Sequence, residues 1–149
     1  MAKSQLQFAY PMLVTEDDAG RLLARFPDFP EALTDAPDLE TLLEEATDCL
    51  DEAVAARIAE GMPLPHPAQA VKGRVHWIML PAQTAAKAAL YAALRDSGLS
   101  KSGLARRLGC DEKEVRRMLD PRHATRLPRI EAALDALGKR LIVHTEDVA

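Results

Sequence analysis

The sequence predicts an α+β chain in which a β-β-β-α-β unit precedes a group of short helices. Three observations carry this. The first third holds short apolar runs separated by acidic, Pro- and Gly-containing turns. A long stripe of Leu and Ala at helical spacing follows. After a proline-rich connector, apolar residues recur at helical spacing in short segments with glycines at their ends.

Phe8–Val14, FAYPMLV, reads as the first strand. TEDDAG is a turn closed by Gly20, and Arg21–Phe26, RLLARF, is the return strand of a hairpin. PDFPE is a second turn, and Ala32–Thr34 a short third strand. Asp38 has the chemistry to cap a helix running to Glu60. Leu39, Leu42, Leu43, Ala46, Cys49, Leu50, Ala53 and Val54 draw its apolar stripe, and Glu40, Glu44, Asp48 and Asp51 fall on another face. Gly61 ends the helix, and MPLPHP leads away in extended form. Val75–Leu80, VHWIML, is a fourth strand. Helices are predicted from Pro81 to Asp96, Ser102 to Leu108, Glu112 to Leu119 and Pro128 to Leu137. LIVH, Leu141–His144, reads as a last short strand. The expected division is residues 1–80 and 81–149.

Charge follows that division. Residues 1–70 hold 4 Lys and Arg against 14 Asp and Glu, a net of -10; residues 71–149 hold 15 against 9, a net of +6. An acidic half is repelled by nucleic acid and attracted to a basic protein, whereas a basic half suits a polyanion.

The stretch SKSGLARRLGCDEKEVRRMLDP, Ser100–Pro121, has helix-turn-helix spacing. Two helices that cross closely need a small residue at the contact, here Ala105, and a residue in the tight turn that accepts a left-handed backbone, here Gly109. Leu104, Leu108, Val115 and Met118 pin the helices together. Asp111 and Glu114 have the spacing of a capping-box variant. Lys113, Arg116 and Arg117 then face outward on a helix suited to the DNA major groove, where Arg pairs with guanine edges or phosphates. Asp111 and Glu112 are placed to accept from cytosine or to repel other sequences. Lys101, Ser102, Arg106 and Arg107 suit backbone phosphates, and Arg122, Arg126 and Arg129 extend the basic surface. A single unit of this kind makes a small interface, so a homodimer or higher even oligomer on operator double-stranded DNA is expected. LIVH and VHWIML are the candidate pairing segments.

The order of motifs in the acidic half resembles the HicB antitoxins of bacterial type II toxin–antitoxin systems. The matching elements are Tyr10-Pro11, Gly20, Phe26-Pro27-Asp28, Glu45-Ala46 and Gly61-Met62-Pro63-Leu64-Pro65, and the C-terminal half is similar to the helix-turn-helix branch of that family. Two loops depart from the family pattern, with Pro30-Glu31-Ala32 and Ala36-Pro37-Asp38 where glycines are common. The resemblance implies a HicB-like, partial ribonuclease H-like unit. Its expected partner is a HicA-type toxin, a small basic mRNA-cleaving ribonuclease, with autorepression through the C-terminal unit. Glu16, Asp17, Asp18, Asp28, Glu40, Glu44 and Asp48 are the expected toxin contacts.

Other classes are poorly served. Metal-dependent nuclease chemistry needs carboxylates converging from strand ends, and the strands hold no acid within them. No enzyme activity, cofactor or metal site is expected; the four histidines lack metal-ligand spacing, and Cys49 and Cys110 read as small apolar side chains. No run approaches the ~18 apolar residues of a membrane span. The N-terminus lacks a signal-peptide layout, so a cytoplasmic location is expected. A stand-alone, ligand-sensing helix-turn-helix regulator is the alternative reading, but no aromatic or convergent polar residues mark a small-molecule pocket.

Overall fold

The computed structural model describes residues 7–148. The residues before Gln7, read above for a leader, lie outside them. The architecture is α+β: a four-stranded antiparallel sheet carrying one long helix, followed by four shorter helices.

The strands are β1 (Ala9–Glu16), β2 (Leu22–Phe26), β3 (Phe29–Ala36) and β4 (Val75–Met79), in the spatial order β3-β2-β1-β4. Register assigns the faces. Tyr10 lies opposite Ile78, Val14 opposite Ala24, and Leu22 between Glu16 and Ala36. These residues turn toward α1 (Leu39–Ala59), which buries Leu42, Ala46, Leu50, Ala53, Val54, Ala55 and Ile58. Leu13, Leu23, Arg25, Leu33, Asp35, Val75 and Trp77 share the opposite face of the sheet.

The helix matches its expected bounds because its ends are chemically marked. Asp38 accepts a hydrogen bond from the Thr41 amide at 2.8 Å, and Glu60 closes the last turn. Cys49 is only half-buried on the stripe, with its thiol toward the Leu33 carbonyl at 3.7 Å; burial pushes that thiol's pKa up.

β3 is longer than the sequence predicts. The expected PDFPE turn shrinks to Pro27 and Asp28, and Phe29 enters the strand fully buried. Tertiary packing explains this: the Phe29 ring meets Tyr10 edge-on at 4.9 Å, and the Arg57 guanidinium lies 4.5 Å from its centroid. Pro30 is tolerated because β3 is an edge strand. LIVH, in contrast, forms no strand. It follows α5, which packs on α2 and α3.

The remaining helices are α2 (Ala82–Ser97), α3 (Lys101–Leu108), α4 (Glu112–Leu119) and α5 (Leu127–Ala136). Their buried residues join those of the sheet and α1 in one connected core. The proline-rich connector is tied from both sides. Tyr10 donates to the Pro65 carbonyl at 2.8 Å, the Ala68 amide donates to Asp28, Tyr91 donates to the Met62 carbonyl at 2.6 Å, and Arg95 donates to the Gly61 carbonyl.

Truncating Phe29 removes the ring that joins β3, β1 and α1. The Phe29→Ala variant is expected to lose about 3–5 kcal/mol in urea unfolding. Leu33→Ala, at an exposed position of the same strand, should stay within about 0.5 kcal/mol of the parent.

Candidate functional site

The α3–α4 pair is built as the spacing requires. Leu104, Ala105, Val115 and Met118 are buried, Leu108 is half-buried, and the pair is joined by residues 109–111. Gly109 adopts φ +68, which a side chain would strain. Gly103, which the sequence reading passed over, also matters: an added Cβ would come within 2.7 Å of the Leu99 side chain.

Polar bonds then fix how α4 is presented. Asp111 accepts from the Glu114 amide at 2.9 Å and so caps the helix. The reciprocal half of the expected capping box is replaced by another bond, because the Glu114 carboxylate turns to Arg129 at 2.8 Å. Glu112 accepts from the Ser102 hydroxyl at 2.9 Å and from Arg116 at 2.8 Å, linking the first turns of α3 and α4. Those two bonds hold its carboxyl below the usual carboxylate range. Asp111 and Glu112 are thus occupied in positioning the helix.

Two expected cations are also engaged: Arg122 pairs with Glu52 at 2.6 Å, and Arg107 donates to the Ala136 carbonyl at the end of α5. Lys101 is exposed and lies in the electrostatic field of Glu112. The side chains of Arg106, Lys113, Arg117 and Arg126 are exposed, with no ion pair or side-chain hydrogen bond among the described residues. They form a cationic set along α3, α4 and the start of α5, and Arg116 joins them because its bond to Glu112 is exposed and exchangeable.

The sequence reading missed Lys87. It lies on α2, fully buried, and its amine donates to the Arg117 carbonyl at 2.8 Å and to the Thr125 hydroxyl at 2.7 Å. Gln83, one turn earlier, accepts from the Thr125 amide. Together they clamp the end of α4 and the loop that carries Arg122 and Arg126. A signal was present: Lys87 shares the helical stripe of Thr84, Ala88 and Tyr91.

The acidic residues separate into two groups. Asp17 accepts from the Ala19 and Arg21 amides and so shapes the β1–β2 turn. Asp28 accepts from Ala68 and holds the connector. Both are structural, whereas Glu16, Asp18, Glu40, Glu44 and Asp48 are exposed. Glu40, Glu44 and Asp48 stand four residues apart, and Glu52 continues the row, so α1 presents one acidic ridge at the expense of like-charge repulsion. Strand register brings the β1–β2 turn to the end of the sheet where β3 leads into α1, and leaves Asp28 at the other end.

A family model of HicB-like antitoxins of bacterial toxin–antitoxin systems matches residues 9–89. Antitoxin HicB of Escherichia coli (strain K12) is 33% identical over 134 residues, covering 89% of this chain and 95% of that protein. The chain belongs to the HicB antitoxin family. Antitoxin HicB of Pseudomonas fluorescens (strain Pf0-1) is 31% identical over 144 residues, covering 97% of this chain and 98% of that protein. Antitoxin HicB 2 of Photorhabdus laumondii subsp. laumondii is 35% identical over 132 residues, covering 89% and 92%. HicB proteins are regulatory antitoxins rather than enzymes, and an antitoxin has a toxin as its partner. Among the described residues, no helix is long and apolar enough to cross a membrane.

Burial holds the Lys87 amine below its ordinary value of 10.5, at about 8, with Asp120 opposing the shift. Unfolded chains keep this proton to higher pH than folded ones, so between those values the unfolded state binds more protons and the Lys87 contribution to stability rises with pH. Urea unfolding at about pH 7.5 and about pH 9.5 should show the parent gaining stability relative to Lys87→Met across that interval. Equal responses of the two chains would remove Lys87 as the titrating group.

Proposed function

We propose that this HicB antitoxin neutralises a HicA-type mRNA-cleaving toxin through its acidic N-terminal unit, residues 1–80. Residues 81–149, a helix-turn-helix unit, bind operator double-stranded DNA and repress the chain's own operon. The protein works in the cytoplasm, as a homodimer or higher even oligomer.

The observation that carries the DNA half is the presentation of α4. It buries Val115, Met118 and Leu119 and turns Lys113, Arg116 and Arg117 to solvent. Major-groove recognition requires this division, with apolar pins behind and bidentate donors in front. Arg106, Lys101 and Ser102 on α3, and Arg126 and Arg122 around α5, flank it as phosphate contacts. Arg122 exchanges Glu52 for phosphate at little loss, since both side chains are about two-thirds exposed, at 67% and 69%.

The acidic ridge of α1 supports the toxin half. Glu40, Glu44 and Asp48, with Glu16 and Asp18 at the same end of the sheet, offer a cationic RNA-binding surface a set of carboxylates in place of phosphates. The N-terminal unit, read as a partial ribonuclease H-like fold, serves as a binding module. Asp17 and Asp28 act through the turn and connector they hold rather than by direct contact.

The two activities are separable. The double reversal Arg116→Glu, Arg117→Glu is expected to weaken operator binding by at least about a hundredfold in gel-shift titrations, given the discrimination carried by each Arg–base contact. Parent binding should fall steeply with added salt. The same variant should still relieve growth arrest when co-expressed with the toxin. Loss of both activities in a folded variant would overturn the division of labour. A neighbouring reading frame that arrests growth whether or not this chain is present would overturn the antitoxin–toxin pairing.

A further inference from the structure

The two adjacent arginines of α4, Arg116 and Arg117, have different surroundings. Arg116 is tied to α3 through Glu112. Its Nη2 donates to one oxygen of that carboxylate at 2.8 Å, and the other oxygen accepts from the Ser102 hydroxyl at 2.9 Å. The guanidinium is thus held at one corner, and the rest of its donor fork stays open to solvent, with the side chain 62% exposed.

Arg117 lines an open cleft between the end of α4, residues 123–126 and the first turn of α5. His123, Thr125, Arg126 and Arg129 line it too. Arg117 and Arg126 have no ion pair or side-chain hydrogen bond among the described residues, whereas Arg129 pairs with Glu114, the one carboxylate of the lining. One ammonium fixes both walls. Lys87 donates to the Arg117 carbonyl at 2.8 Å on one side and to the Thr125 hydroxyl at 2.7 Å on the other. The cleft is therefore organised before any ligand arrives.

These surroundings select different ligand atoms. A backbone phosphate carries a full negative charge. Bound to Arg116, it would lie close to the Glu112 carboxylate, and like charges at that range repel. A guanine edge is neutral, and its O6 and N7 take two parallel bonds from an arginine fork. In the cleft the balance is reversed. Two guanidiniums without carboxylate partners converge there, with an imidazole beside them, and such a set favours an anion.

We propose that Arg116 is the base-reading residue of α4, directed at a guanine, and that Arg117, with Arg126 and His123, seats a phosphate of the DNA backbone. The inference deepens the operator-binding reading above and rests on it. It makes Arg116 the residue that sets sequence preference and Ser102–Glu112 the pair that positions it. Arg117 then supplies affinity without preference.

Single substitutions separate the roles. R116A, R117A, R116K and R117K are made in the full chain, with circular dichroism as the check on folding. Binding is followed by fluorescence anisotropy at several salt concentrations. Two duplexes of equal length serve as probes: the sequence upstream of the chain's own operon and a scrambled version of it. R116A is expected to weaken binding to the upstream duplex about tenfold to a hundredfold and to leave the scrambled one within about threefold, so the ratio of affinities falls. R117A should weaken both by a similar factor, keep their ratio and reduce the salt slope by about one. Lysine keeps a point charge but loses the planar fork. R117K should therefore recover binding to both duplexes, whereas R116K should leave the ratio below that of the parent. Equal effects of R116A and R117A on the ratio, or the two patterns exchanged, would overturn this division while operator binding stands. A parent that binds both duplexes alike would overturn the operator reading itself, and the base-reading role with it.

Discussion

The arrangement of the N-terminal unit depends on the contact among Phe29, Tyr10 and Arg57. The Phe29 ring is closed by Tyr10 on one side and by the Arg57 guanidinium on the other. Arg57 reaches it from the last turn of α1 and donates twice to Glu31, at 2.7 and 2.8 Å, and once to the Asp28 carbonyl. Its side chain is only 15% exposed, while the Glu31 carboxylate that it meets stays about half open to solvent, at 48%. The bonds from Arg57 also hold the Glu31 carboxyl below its usual range. One guanidinium thus fixes the end of the helix, the β2–β3 turn and an edge strand relative to one another. Tyr10 carries the contact onward to the connector at Pro65, and burial together with nearby Asp28 keeps its phenol protonated above its ordinary range.

That connector joins the two charge regimes. The carbonyls at Gly61, Met62 and Pro65 are met by Arg95, Tyr91 and Tyr10, so an extended, proline-rich segment, poor in amide donors of its own, is held by side chains from both halves. The acidic ridge and the cationic set consequently belong to one connected body, with a shared core and a bridging ion pair between Glu52 and Arg122. Charge is thus segregated within one connected body, with acids along α1 and exposed cations along α3, α4 and the start of α5.

The presentation of α4 combines apolar and polar anchors. Val115 and Met118 fix its depth, Ser102 and Glu112 fix its start against α3, and Lys87 fixes its end against α2. A buried ammonium is an uncommon choice for such a role. It succeeds because two acceptors, the Arg117 carbonyl and the Thr125 hydroxyl, replace part of the water it loses. With the helix held at three points, its outward arginines project from a rigid scaffold.

Elements defined by local chemistry were legible in the sequence. The Asp38 cap, the helical stripe of α1, the left-handed Gly109 turn and the bounds of α4 all follow from interactions within a few residues. The family, too, was legible from the order of short motifs along the chain. What depended on distant partners was decided only by the tertiary structure. Phe29 became a strand residue because Tyr10 and Arg57 surround it, LIVH joined no strand of the sheet, and Asp28 and Glu112 were drawn into structural bonds with Ala68 and Ser102. Spacing records which face of a helix a side chain occupies; which neighbour that face meets is set by packing between segments far apart in the chain, as Lys87 on α2 and Thr125 illustrate.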